Sequence, residues 1–128
     1  MMYTVYGRAT SSNVQALLWG MEELGLTYDR LDYGGEFGGL DTPAFAAISP
    51  HGQIPVLQDG EMILWETPAI LRFLAGEHGD DRFWPGDARK RAHVDMWAEW
   101  ANIPSPRLLP DQSFGAPHAP IPTGKMRP

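Results

Sequence analysis

The chain has 128 residues, with 16 acidic against 10 basic side chains for a net charge of −6, and it contains no cysteine. That length fills one modest core and leaves no room for a second full domain, and the acidic balance argues against nucleic acid or an anionic membrane as a partner, since both recruit Lys and Arg. Without cysteine there is no disulfide, thiolate metal site or redox-active thiol, so any thiol chemistry must use a thiol brought by a ligand.

Tyr3 to Tyr6 is a short β-type run, broken by Gly7 to Thr10. Nothing at the N-terminus resembles a signal peptide and no apolar run reaches membrane-spanning length, so a cytoplasmic protein is expected. Val14, Leu17, Leu18, Met21 and Leu24 recur at spacings of three and four, which predicts a helix from about Ser12 to Leu24 with Gly25 at its C-terminal cap. Thr27 to Tyr33 reads as a second strand, and the helical crossover makes it parallel to the first. A glycine-rich loop, Gly34 to Gly39, precedes a short helix opened by Thr42-Pro43.

Ile54 to Gln58 and Met62 to Trp65 flank Asp59-Gly60, a hairpin signal. Thr67 is then expected to cap and Pro68 to open a helix that buries Ile70, Leu71, Phe73 and Leu74 and ends near Gly76. The order β-α-β-α-β-β-α is that of an α/β, thioredoxin-like domain over residues 1–79. Residues 80–102 read as a linker and one helix, Ala88 to Ala101, with Asp87 as cap and Val94, Trp97, Trp100 and Ala101 as its apolar stripe. The two tryptophans read as core or interface packing, and Arg89-Lys90-Arg91 as a solvated face. Seven of the 12 prolines fall between Pro104 and Pro128, so residues 103–128 are expected to be a poorly ordered tail.

The residues that carry chemistry cluster in two stretches, Ser49-Pro50-His51-Gly52-Gln53-Ile54-Pro55-Val56-Leu57 and Glu66-Thr67-Pro68-Ala69-Ile70, with polar groups at both ends of a space fit for a small peptide. His51 reads as a surface loop residue, and the four histidines lack metal-ligand spacing. Ser11, read alone, is a helix N-cap. A carboxylate at Glu66, directly before a cap, reads equally as a partner of the helix dipole.

Together with Tyr6-Gly7-Arg8 and Ser11-Ser12-Asn13-Val14-Gln15, these stretches resemble the glutathione-binding signature of glutathione S-transferases, in the serine-type, theta-like branch. The resemblance covers about residues 1–100, and it implies that the last helix belongs to a truncated all-α domain. It implies glutathione as co-substrate, a small electrophile as second substrate, a role in detoxification and homodimers; from the charge and the histidine spacing, no metal, nucleic acid or membrane partner is expected. By the same resemblance Pro55 is cis and presents the backbone of Ile54 to the cysteinyl amide, as an added strand would be held. Glu66 would accept from the γ-glutamyl ammonium, the Thr67 hydroxyl and its helix N–H groups would bind the γ-glutamyl carboxylate, and Gln53 would meet the glycyl end.

Ser11 would be the catalytic residue, stabilising the thiolate with help from the helix N-terminus. A free thiol is only a few per cent ionised at neutral pH, and lowering its pKa by about two units takes roughly 2.7 kcal/mol, the size of one charged hydrogen bond plus a helix end. Ser12 and Asn13 stand close enough to compete or assist; Ser11 is preferred because its offset from Asn13 fits the family pattern Ser-x-Asn. That pattern often continues to a basic residue where this chain has Ala16. The alternative is a module that binds glutathione without catalysis because it lacks the electrophile pocket. A glutaredoxin-like reductase is disfavoured, since no cysteine is present to form the mixed disulfide.

Overall fold

A computed structural model of the chain describes residues 2–101. The expected poorly ordered tail lies outside the described residues. The elements follow the predicted order: β1 (Tyr3–Tyr6), α1 (Ser12–Glu23), β2 (Tyr28–Leu31), a 3-10 turn (Gly35–Phe37), α2 (Pro43–Ile48), β3 (Val56–Asp59), β4 (Met62–Trp65), α3 (Thr67–His78) and α4 (Ala88–Ala101). The sheet order is β2-β1-β3-β4. β1 and β2 are parallel with Tyr3 opposite Tyr28, β3 runs antiparallel to β1 with Leu57 opposite Val5, and β4 completes the Asp59-Gly60 hairpin. This is the thioredoxin-like arrangement.

Side chains alternate across a strand, and the two faces of β1 show what each layer holds. Tyr3 and Val5 enter a core built with Val14, Leu17 and Met21 of α1, Leu57 of β3, and Ile70 and Leu74 of α3. Tyr6 faces the opposite way and meets Tyr33 edge-on, and Tyr33 stacks on the buried Phe45 of α2. Two glycines permit the close packing. A Cβ on Gly7 would lie 2.5 Å from Val14 Cγ2, and its φ of 155° is one that other residues rarely adopt. A Cβ on Gly20 would lie 2.3 Å from Leu71 Cδ2, where α1 and α3 cross.

Helix signals were read correctly in α1 and α2. Ser11 caps α1, accepting from the Val14 N–H, and Thr42 caps α2, accepting from the Phe45 N–H. α3 departs from expectation at both ends. The capping position belongs to Glu66 and has no side-chain cap bond, while Thr67 is the first helical residue and sends its hydroxyl elsewhere. The helix also runs through Gly76 to His78, because Gly76 sits on an exposed turn where nothing competes with the helical ladder.

Asp87 caps α4 as expected, accepting the Lys90 N–H at 2.9 Å. The predicted apolar stripe is divided. Val94, Ala98 and Ala101, at helical spacings of four and three, face α1 and α3, whereas Trp97 and Trp100 are 63% and 56% exposed and are not core residues here. Arg72 of α3 fastens α4, with Nε 2.8 Å from Asp95 and Nη2 2.5 Å from Glu99. Among the described residues no helix is long and apolar enough to cross a membrane.

Candidate functional site

The loop between α2 and β3 is organised by one buried hydroxyl. Ser49 Oγ donates to the Gln53 carbonyl at 2.9 Å, accepts the Gln53 N–H at 3.1 Å and lies 3.1 Å from His51 Nδ1. Gln53, Ile54 and Pro55 are thereby set at the start of β3, and the Ile54–Pro55 peptide is cis. Pairing of β1 with β3 ends at Tyr6 and Val56, and among the described residues neither the N–H nor the carbonyl of Ile54 bonds to another backbone group. Unpaired backbone at a strand end is what an extended peptide ligand needs.

Facing that loop is the junction of β4 and α3. Glu66 has a φ of 72°, the only positive value among described residues other than glycine. Its side chain is half exposed, with Oε1 3.4 Å from His51 Nε2, longer than the roughly 2.7–2.9 Å of a charge-assisted hydrogen bond. The His51 ring also packs on Trp65, with centroids 4.6 Å apart. Thr67 is buried, and its hydroxyl donates to the Asn13 carbonyl at 3.2 Å, tying the start of α3 to the first turn of α1. With that hydrogen given to Asn13, the donors left for an anion are the free first-turn N–H groups of Thr67 and Ala69, Pro68 having none.

Asn13, His51, Gln53, Ile54, Pro55, Glu66 and Thr67 line one small pocket of about 20 Å³. Six of the seven site residues read from sequence therefore converge. The seventh, Ser11, is outside this lining: it is 9% exposed at the N-terminus of α1 and accepts the Val14 N–H at 3.5 Å. As an acceptor there, the hydroxyl keeps its own hydrogen for another partner. Ser12 turns instead toward an apolar groove of about 430 Å³ between α1, α3 and α4, which shares Asn13 and Thr67 with the pocket.

His51 is an exposed loop residue, as expected, but it also lines the small pocket; a histidine between Pro50 and Gly52 carries no periodicity from which its contact with Glu66 could be read. Among the described residues no group of three or more His, Asp or Glu side chains is placed to hold a metal ion.

Comparison with known proteins places this geometry. Residues 1–76 match the model of the glutathione S-transferase N-terminal domain. The chain is 42% identical to the glutathione S-transferase GstB of Escherichia coli over 103 residues, which cover 79% of this chain and 50% of that protein. It is 33% identical to the probable glutathione S-transferase GSTF2 of rice, Oryza sativa, over 88% of this chain and 57% of the relative. The theta class glutathione S-transferase of Xanthomonas axonopodis pv. citri, solved with glutathione bound, superposes with a TM-score of 0.73 at 45% identity, covering 77% of this chain and 47% of that one. The chain thus spans about half the length of the relatives it matches. On the family match and these identities, the chain belongs to the glutathione S-transferases, through their N-terminal domain.

Proposed function

We propose that this chain binds glutathione and stabilises its thiolate for attack on a small electrophile, as a glutathione transferase. The observation that carries the reading is the convergence of Asn13, Gln53, Ile54, Pro55, Glu66 and Thr67, from three separate stretches of sequence, on one pocket. In this reading residues 1–79 are the glutathione-binding domain, and residues 80–102 are a linker and the first helix of a helical domain. The free backbone of Ile54 pairs with the cysteinyl unit, Glu66 accepts the γ-glutamyl ammonium, and the first-turn N–H groups of α3 hold the γ-glutamyl carboxylate. Gln53 meets the glycyl end. Ser11 donates its unspent hydrogen to the thiolate, and the partial positive charge of the α1 N-terminus adds to it.

The chain acts in the cytoplasm and pairs with a second copy through the exposed α4 stripe of Met96, Trp97 and Trp100. Calorimetric titration of glutathione into the wild type and Ser11→Ala, paired with ultraviolet absorbance of the bound thiolate, tests the core of this proposal. Binding retained with ionisation lost assigns Ser11 its role. Glu66→Gln removes a charged hydrogen bond worth about 1.5–3 kcal/mol, so affinity should fall by roughly 10- to 150-fold. A wild type that does not bind glutathione ends the proposal.

A further inference from the structure

The hydrogen-bond pattern around Ser49 fixes which proton His51 carries. A serine hydroxyl has one hydrogen, and Ser49 spends it on the Gln53 carbonyl, since a carbonyl can only accept. The 3.1 Å contact between Ser49 Oγ and His51 Nδ1 therefore has the imidazole as donor. With the hydrogen on Nδ1, neutral His51 points a bare Nε2 lone pair at Glu66 Oε1, 3.4 Å away. Two acceptors facing each other over that distance are short of a shared donor, and an ammonium group, with three N–H bonds and a positive charge, supplies it. Trp65 backs the ring from β4, and Glu66 and His51 are the ionisable side chains lining the pocket.

We infer that His51 is a binding residue of the glutathione site, its Nε2 acting with the Glu66 carboxylate as a second acceptor for the γ-glutamyl ammonium. This rests on the function proposed above. A ligand without that amine would leave Nε2 and the carboxylate still short of a donor, so the role of His51 is specific to the amino end.

Calorimetry at pH 7.5 with glutathione, and with an analogue lacking the γ-glutamyl amine, reads this directly. His51→Ala should bind glutathione about two- to tenfold more weakly than the wild type, the worth of one hydrogen bond, and His51→Gln, which restores a neutral acceptor, should recover part of that loss. The deaminated analogue should bind the wild type and His51→Ala alike. An unchanged glutathione affinity in His51→Ala, or a loss that the deaminated analogue reproduces, overturns the inference while leaving glutathione binding intact. Nitrogen-15 NMR of the free protein adds a readout independent of ligand: a neutral His51 with its hydrogen on Nε2 also overturns it. If glutathione fails to bind the wild type, the function proposed for the site falls first and this role falls with it.

Discussion

Helices α3 and α4 have similar lengths, 12 and 14 residues, but are attached to the molecule in opposite ways. α3 sinks Ile70, Leu74 and Ala75 into the core and sends its first residue into the candidate site. α4 buries no residue; Arg72 fastens it through two carboxylates one turn apart, and Val94, Ala98 and Ala101 lie across an apolar groove from α1 and α3. The pocket is thus built on the region where burial is strong, and α4 is an attachment whose removal should leave the pocket standing.

The contrast can be broken at its strong end. Leu17 is fully buried in the cluster that joins β1, α1 and α3. Leu17→Ala should cost about 2–5 kcal/mol in chemical denaturation, and because α1 carries Ser11 and Asn13, glutathione binding should weaken with it. Arg72→Ala tests the other end. The pairs are only partly buried, so water screens them, and global stability should fall by no more than about 1 kcal/mol. Hydrogen exchange should nevertheless quicken along α4 and stay unchanged in β1 and β3; equal loss of protection in both regions would contradict the division.

The smallest expected effect lies in the connecting segment. The Arg82 side chain, helped by its backbone N–H, holds the exposed Asp80 carboxyl below the usual carboxylate range. A carboxyl lowered in the folded state adds stability above its unfolded value of about 4 and loses it as pH falls through the lowered one. Thermal melts of wild type and Asp80→Asn should therefore differ slightly at neutral pH and converge in acid. A difference that grows below pH 4 would show that another group is responsible.

Most of the fold was legible because each element carries a local signal. Val14, Leu17 and Met21 mark one face of α1, Thr42-Pro43 marks the start of α2, and Asp59-Gly60 marks the hairpin. The site was legible where residue type and ligand chemistry coincide, as at Ile54, Pro55 and Glu66. Three features were not. His51 owes its place to Ser49 and Glu66, contacts made only once the loop and α3 are folded together. The hydroxyl of Thr67 reads as a cap in the sequence because its true acceptor, the Asn13 carbonyl, lies on another helix. On α4, the size of Trp97 and Trp100 dominated the apolar pattern, while Ala98, small enough to let the helix approach α1 and α3, carried little signal.

The backbone at Glu66 has a wider meaning. At a φ of 72° a side chain crowds its own carbonyl, which costs a residue other than glycine roughly 1 kcal/mol. Glycine would meet that torsion without the cost. The chain instead holds a glutamate whose side chain lines the pocket, so the strain of the fold falls on the residue to which the proposed site gives the ligand's charge.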